Sequence, residues 1–173
     1  PGSVGGAVYM NAGAYGGELK QVLRRVTFLD RALRLDSQPV QELALGYRTS
    51  RFETEGGVIL EAEFSLTPGD PAAIEAEMQE LMARRREKQP LELPSAGSTF
   101  KRPKGAFAGA LIEQAGLRGF AVGGAAVSTK HCGFVVNTGG ATCADVVTLT
   151  EEVARIVYEK TGYRLEREIR VVQ

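Results

Sequence analysis

The chain has 173 residues, 43% of them hydrophobic and 24% charged, and its 21 basic side chains balance its 21 acidic ones. This is typical of a soluble globular protein with one large or two small domains, and the neutral balance argues against nonspecific binding to nucleic acid or to a membrane surface. No apolar stretch approaches the roughly 20 residues that span a membrane, and no secretory signal is visible. We therefore expect a cytoplasmic protein without nucleic-acid or membrane partners.

Histidine and cysteine limit the kinds of catalytic site that the chain can build. His131 is the only histidine, so a multi-histidine metal centre, and a Ser-His-Asp triad built anywhere but at His131, are excluded within this chain. Cys132 and Cys143 have no metal-binding or redox spacing, and they suit a reducing cytosol. We expect no metal site.

The first seventeen residues are rich in glycine, with mostly small or apolar side chains between the glycines. Glycine costs backbone entropy, so this density indicates unusual dihedral angles or the close approach of a ligand. Main-chain N–H groups without neighbouring Cβ atoms suit a diphosphate. The segment is predicted to be a turn-rich loop beside an anionic ligand. The chain has no initiator Met, so we expect a further segment upstream.

Strands and then a helix are predicted for the next part of the chain. Residues 21–35 have strand-like spacing, residues 36–39 are typical of a turn, and residues 57–67 alternate like a second strand. Asp70 and Pro71 are an N-cap and a first helical position. The apolar residues that recur at helical spacing after them are Ile74, Met78, Leu81 and Met82.

A second lobe of mixed helix and strand is predicted for the rest of the chain. Two prolines in residues 88–94 indicate an extended connector into this lobe. The predicted elements are a helix at 107–115 that ends at Gly116, strands at 119–127 and 133–137, a helix at 143–160 capped by Thr142 and Asp145, and a strand at 164–172. Their α-β-β-α-β order suits an α+β layer.

Several motifs, taken together and in this order, resemble one enzyme family. They are Pro1-Gly2-Ser3-Val4-Gly5-Gly6-Ala7, Asn11-Ala12-Gly13-Ala14-Tyr15-Gly16, Gly46-Tyr47-Arg48-Thr49-Ser50-Arg51-Phe52, Pro94-Ser95-Ala96-Gly97-Ser98-Thr99-Phe100-Lys101-Arg102-Pro103, Gly123-Gly124-Ala125-Ala126-Val127-Ser128, Asn137 and Leu165-Glu166-Arg167-Glu168-Ile169-Arg170-Val171. The set resembles the UDP-N-acetylenolpyruvoylglucosamine reductase (MurB) family over essentially the whole chain. No extra tyrosine-bearing insertion follows Phe52, which resembles the shorter, second type of these reductases.

The resemblance implies an α+β fold with two functional parts. Residues 1–68 would be the later part of a two-lobed FAD-binding domain like that of vanillyl-alcohol oxidase, and residues 69–90 a helix and connector. Residues 91–173 would form an α+β substrate-binding domain whose last strand returns to the FAD domain. The family carries a further FAD-binding portion upstream, which this sequence lacks. We therefore expect the chain alone to be inactive.

The resemblance also implies the ligands and the reaction. FAD would be bound, NADPH would donate electrons, and UDP-N-acetylglucosamine enolpyruvate would be reduced to UDP-N-acetylmuramate for peptidoglycan synthesis. We expect a monomeric cytoplasmic enzyme.

Three catalytic residues follow by resemblance. Arg48 is the catalytic arginine, and its guanidinium offers a planar carboxylate a fork of donors. Ser98 is the proton donor to the α-carbon of the substrate, and Glu168 is the carboxyl group that assists the enolate.

Neighbouring residues leave alternatives for each role. Arg51 and Thr99 lie close to Arg48 and Ser98 but do not match the family positions. Glu166 would face the same side of a strand as Glu168, and Arg167 stands where the family commonly has proline, so the register of the two glutamates stays open.

Binding residues form a second group. The residues implied to contact the flavin are Gly2, Ser3, Val4, Gly5, Gly6, Asn11, Ala12, Gly13 and Tyr15. Lys101 and Arg102 are candidates for the substrate diphosphate by charge, and Lys130 and His131 lie in a turn that touches substrate in relatives. Local packing is the alternative role for His131.

Two other functions compete with this reductase. One is another flavoprotein oxidoreductase of the same fold with a different substrate. The other is a flavin- or nucleotide-binding module without catalysis. The Arg48, Ser98 and Glu168 set favours the reductase.

Overall fold

The computed structural model describes residues 2–172 and divides the chain into two compact units, residues 1–70 and residues 71–173. Helices and strands occur in both units, which confirms the α+β class. The division falls at Asp70, so the helix and connector at residues 69–90 group with the second unit.

The first unit is built around a three-stranded antiparallel sheet. Its elements are α1 (Val4–Tyr9), β1 (Gly13–Ala14), β2 (Gly17–Glu18), β3 (Leu23–Leu29), β4 (Leu35–Pro39), α2 (Arg51–Glu55) and β5 (Val58–Phe64). The strand order is β4-β3-β5, and β1 pairs separately with β2. The predicted strand at 57–67 is confirmed by β5. The buried core residues are Val8, Leu23, Val26, Phe28, Leu43 and Phe52.

Two local predictions for this unit were wrong. The opening segment is helical from Val4, because the Ser3 hydroxyl accepts a hydrogen bond from Gly6 N and the fully buried Val8 anchors the helix in the core. The predicted strand at 21–35 is a hairpin, because the Asp30 carboxylate accepts hydrogen bonds from Ala32 N and Arg34 N and closes a turn there. Residues 36–39 therefore lie in β4 instead of a turn.

The second unit packs two helices against a four-stranded antiparallel sheet. Its elements are α3 (Pro71–Lys88), β6 (Ser95–Ser98), α4 (Ala108–Gln114), β7 (Ala121–Val122), β8 (Ala125–Val127), β9 (Phe134–Asn137) and α5 (Cys143–Thr161). The strand order is β6-β9-β8-β7. The predicted apolar stripe of α5 is confirmed, because Leu149, Val153 and Val157 are fully buried and Val146 and Ile156 pack against the same core.

The caps of α5 match their prediction, and β9 confirms the predicted strand at 133–137, whereas the other strands differ from the prediction. Thr142 and Asp145 form a reciprocal capping box, which starts α5 at Cys143. The predicted strand at 119–127 is the hairpin β7–β8, because Gly123 adopts a φ of 53° and turns the chain. β6 was missed, because its pairing partner β9 lies far away in sequence.

The predicted final strand at 164–172 was also wrong. Within the described chain, the only strand-like pairing of this segment is one isolated bridge between Phe100 and Arg167. It is flanked by the bonds from Lys101 N to Glu166 O and from Glu168 N to Thr99 O, at 2.8 and 2.9 Å. This pairing lies within the second unit, and contact with a flavin domain stays a prediction.

The long helix α3 was predicted correctly from its N-terminal signal, and it carries an apolar row on its surface. Ile74, Met78 and Met82 are exposed. Along residues 2–172 no helix combines the length and the apolar character that crossing a membrane requires.

Candidate active site

Arg48 lies in a tight turn that the first unit holds firmly. Gly46 and Thr49 exchange two backbone hydrogen bonds across the turn, at 3.1 and 3.4 Å. Arg48 has a φ of 57°, a conformation that non-glycine residues rarely adopt and that is frequent at functional sites. Its guanidinium lies over the Tyr47 ring and donates to Gly13 O at 3.3 Å. The turn therefore presents a half-exposed cation beside the glycine-rich segment.

Asn11 connects this turn to the glycine-rich segment. Its side-chain amide donates to Glu18 Oε2 at 2.8 Å and to Gly46 O at 3.0 Å, and its Oδ1 accepts from Lys20 N at 3.0 Å. Asn11 is 1% exposed, and it adopts a φ of 45°, which asparagine tolerates well. Hydrogen bonds from Lys20 and then from Asn11 hold the pKa of Glu18 below its ordinary value. The Asn11 side chain is thus fully used in positioning the backbone.

Two of the glycines predicted to face the flavin have open space where a side chain would be. A Cβ at Gly2 would meet nothing within 4 Å, and one at Gly5 would reach only Ile59 Cβ at 4.0 Å. Gly13 is different, because a Cβ there would lie 2.6 Å from Gly17 O, so glycine is needed for the turn itself. The segment therefore offers open backbone at Gly2 and Gly5 and a tightly packed turn at Gly13.

In the second unit, Ser98 and Glu168 lie on neighbouring chain segments. Ser98 ends β6 opposite Phe134 and is exposed. Glu168 N donates to Thr99 O at 2.9 Å, so Glu168 lies opposite the residue that follows Ser98. The fold thus places two of the three predicted catalytic residues on neighbouring segments, although they are seventy positions apart in sequence. Arg48 lies in the other unit.

The environments of Glu166 and Glu168 differ. Arg167 contacts Thr150 and Glu151 of α5, so both glutamates alternate to the opposite side of their segment. Glu166 forms an ion pair with Lys101, and Glu168 is half-buried beside Thr99. The carboxylate of Glu166 is therefore already partnered by a lysine that was predicted to bind the diphosphate.

Arg102 adds a second positive charge next to Lys101, just after the end of β6. Its guanidinium lies 3.9 Å from the centroid of the Phe107 ring, which is 61% exposed. A guanidinium stacked on an aromatic ring is held in one orientation and still offers N–H donors. Arg102 and Lys101 are therefore adjacent cations on the segment that follows Ser98.

Lys130 has a structural partner at the end of α3. Its Nζ donates to Arg86 O at 2.8 Å and lies 3.3 Å from Glu92 Oε2. A hydrogen bond that the Glu92 carboxylate accepts from its own backbone N–H, and then the bond from Lys130, hold the pKa of Glu92 below its ordinary value. Lys130 and Glu92 line a cavity of about 330 Å³ between the connector and the sheet, together with Pro90, Leu93, Gly119, Ala121, Ala126, Val127, Ser128, Thr129, Val136 and Thr138.

His131 is packed into the turn that precedes β9. Its Nδ1 accepts a hydrogen bond from Gly133 N at 3.0 Å, and its ring meets Phe134 edge-on at 5.1 Å. A Cβ at Gly133 would lie 2.9 Å from His131 Cε1, so the ring and this glycine fit closely. These contacts favour the local-packing alternative, and a role in substrate binding stays a prediction.

Thr99 was predicted only as an alternative proton donor, but in the structure its buried hydroxyl is a hydrogen-bond acceptor for β9. It is 2% exposed, and its Oγ1 accepts from Val135 N at 2.9 Å.

Among residues 2–172 no group of three histidine, cysteine or carboxylate side chains is placed to hold a metal ion. Burial raises the pKa of the Cys132 thiol, which makes this cysteine a weak nucleophile.

Comparison with known proteins gives consistent matches. Residues 89–172 match the family described as UDP-N-acetylenolpyruvoylglucosamine reductase, C-terminal domain. Over 172 residues, 99% of this chain, it is 54% identical to the UDP-N-acetylenolpyruvoylglucosamine reductase of Lachnoclostridium phytofermentans and 51% identical to that of Limosilactobacillus fermentum. The alignments cover 56% and 57% of those relatives, so the chain spans a little over half of their length.

A solved structure agrees with these matches. The crystal structure of UDP-N-acetylenolpyruvylglucosamine reductase (MurB) from Thermus caldophilus superposes with a TM-score of 0.81 at 35% identity, covering 96% of this chain and 59% of that one. The chain therefore belongs to the UDP-N-acetylenolpyruvoylglucosamine reductase family.

Proposed function

We propose that this chain carries most of the catalytic residues of a flavin-dependent reductase that converts UDP-N-acetylglucosamine enolpyruvate to UDP-N-acetylmuramate with electrons from NADPH. The observation that carries the proposal is the pairing of the segment around Glu168 with the end of β6. It brings the backbone of the half-buried Glu168 next to Thr99, the residue that follows the exposed Ser98.

The residues divide the reaction between them. FAD, when bound and reduced by NADPH, would supply the hydride that is added to the vinyl carbon of the substrate. Ser98 gives its proton to the α-carbon, which becomes saturated, and it regains a proton from solvent. Glu168 interacts with the enolate oxygens that develop before this transfer, and Arg48 holds the substrate carboxylate through two N–H donors.

The glycine-rich segment suits the diphosphate of such a flavin. Gly2 and Gly5 leave open space where other residues have a side chain. An open main chain next to the start of α1 offers N–H donors to phosphate oxygens. The residues proposed to hold the flavin are Gly2, Ser3, Val4, Gly5, Gly6, Asn11, Ala12, Gly13 and Tyr15. Asn11 contributes through its backbone, since its side chain is engaged elsewhere.

Substrate binding is proposed for the cations beyond Ser98. Lys101 and Arg102 are adjacent, and Arg102 is pre-oriented by its stacking on Phe107. Lys130 and His131 would act by shaping the neighbouring turn, because Lys130 donates to Arg86 O and His131 accepts from Gly133 N. The enzyme is proposed to work as a cytoplasmic monomer.

The intact protein provides a direct test. Purified without added cofactor, it is expected to show the visible absorbance of oxidised flavin and to oxidise NADPH only when UDP-N-acetylglucosamine enolpyruvate is present. A colourless protein that does not take up FAD contradicts the flavin assignment. A yellow protein whose NADPH oxidation ignores this substrate supports a different flavoprotein oxidoreductase.

A further inference from the structure

Thr99 stands at the point where one segment changes its pairing partner. Up to Ser98 the chain pairs with β9, and from Phe100 it pairs with the segment around Arg167. Thr99 N donates to Gly133 O, and Thr99 O accepts from Glu168 N, both at 2.9 Å. In a regular antiparallel pair a residue exchanges both bonds with one partner. At Thr99 the two bonds go to different segments.

The Thr99 hydroxyl completes this change of partner. The register of β6 and β9 shifts between Ser95 and Ser98, and Gly97 within the shift has a φ of 89°. Val135 N donates to Thr99 Oγ1 at 2.9 Å, so a side-chain oxygen serves as an acceptor for β9 next to the irregularity. Irregularities of this kind redirect side chains and are common beside active sites.

Burial makes these bonds hard to replace. Thr99 is 2% exposed, so water has little access to its hydroxyl. A buried N–H that loses its acceptor is strongly penalised. One residue therefore joins β9, the turn at Gly133 and the backbone of Glu168, and it is covalently bonded to Ser98.

We propose that Thr99 is a positioning residue for the reduction, in that its buried hydroxyl fixes the position of Ser98 relative to Glu168. This rests on the proposed function, because it assumes that Ser98 donates the proton. It predicts that removal of the hydroxyl slows protonation of the substrate and leaves the reaction with NADPH intact. The γ-methyl group of Thr99 is expected to contribute little to this positioning.

The test uses Thr99→Val, which keeps the shape and removes the acceptor, and Thr99→Ser, which keeps the acceptor. Thr161→Val is the matched control, because its hydroxyl bonds Val157 O within its own helix. Each variant of the intact reductase is followed by rapid mixing in two steps, flavin reduction by NADPH and flavin reoxidation by substrate. Exchange of the Val135 amide hydrogen is measured in parallel.

Thr99→Val is expected to slow reoxidation by substrate at least tenfold, to leave reduction by NADPH within twofold, and to speed Val135 amide exchange at least tenfold. Thr99→Ser and Thr161→Val are expected to stay within threefold in all three measurements. The proposal is overturned if Thr99→Val keeps normal reoxidation, or if it slows both steps equally. If Thr99→Val does not fold, a tenfold loss of the reoxidation rate in Thr99→Ser overturns the proposal, and a retained reoxidation rate in Thr99→Ser supports it.

Failure of the proposed function has a separate signature. In that case the unchanged reductase does not reoxidise with the substrate at all, which overturns both proposals. An active reductase in which Thr99→Val behaves normally overturns only the role of Thr99.

Discussion

Asn11 offers a sharp test of how the first unit holds its functional turn. Asn11→Ala removes three hydrogen bonds from a side chain that is 1% exposed. The Glu18 carboxylate can bind water instead, since its side chain is 38% exposed. Lys20 N loses its partner in a partly buried place, and Gly46 O keeps the 3.4 Å bond from Thr49 N. Each lost partner costs about 1–2 kcal/mol, and alanine tolerates the φ of 45° less well than asparagine. We expect a loss of about 3 kcal/mol in the free energy of unfolding.

Urea unfolding of the intact protein measures this loss. Asn137→Ala is the matched control, because the Asn137 side chain bonds only the N–H groups of Gly139 and Ala141 in a glycine loop. We expect the control to lose about 1 kcal/mol, because Gly139 N is exposed and can bind water, whereas Ala141 N loses its partner in a partly buried place. The reasoning is refuted if Asn11→Ala loses no more stability than Asn137→Ala at an unchanged denaturant slope.

Four further predictions concern Thr142 and Asp145 at the cap of α5, the clamp that Lys130 forms by bonding Arg86 O and Glu92, and the guanidinium of Arg48. Thr142→Ala should lower the free energy of unfolding by about 1 kcal/mol, as expected for a lost N-cap; an unchanged urea midpoint contradicts this. Hydrogen bonds from Thr142 hold the pKa of Asp145 below its ordinary value, so its contribution is complete above about pH 4 and is lost as the pH falls through the lower folded value. The stability difference between the unchanged protein and Asp145→Asn should therefore shrink on acidification, and a difference that grows refutes it. Lys130→Met should speed proteolysis at the connector near Glu92, while Lys104→Met should not; equal rates contradict the clamp. Arg48→Lys should keep the flavin spectrum and reduce kcat/KM at least tenfold, because an ammonium lacks the fork of donors; activity within twofold contradicts the role of the guanidinium.

Local signals predicted the helices of the second unit well. The start of α5 follows from Thr142 and Asp145, and the start of α3 follows from Asp70 and Pro71, because caps act within one turn of the chain. The hairpin at residues 30–34 was missed for a similarly local reason. The Asp30 side chain closes the turn, and the strand-like residues on either side concealed it.

The arrangement of the candidate site depends on long-range pairing that periodicity does not reveal. Family resemblance selected Ser98 and Glu168, but their proximity comes from a bridge between Phe100 and Arg167. Thr99 accepts a buried hydrogen bond from Val135, and Asn11 donates a partly buried one to Gly46, each thirty-five or more positions away. A threonine between a serine and a phenylalanine carries no sign of such a partner in the sequence. The glycine-rich opening was predicted as a loop because tertiary burial of Val8 was not visible.

The role of Ser98 as the proton donor is the central claim, and one comparison tests it directly. Ser98→Ala is compared with Ser95→Ala on the same strand, where the hydroxyl only accepts a bond from Gly97 N and makes a long contact with Gly97 O. Rapid mixing of each intact variant follows flavin reduction by NADPH and then reoxidation by substrate. We predict that Ser98→Ala keeps the first step and loses at least a thousandfold in the second, a barrier increase of about 4 kcal/mol, while Ser95→Ala keeps both. Reoxidation of Ser98→Ala within about tenfold of the unchanged enzyme, or about 1.4 kcal/mol, contradicts the claim.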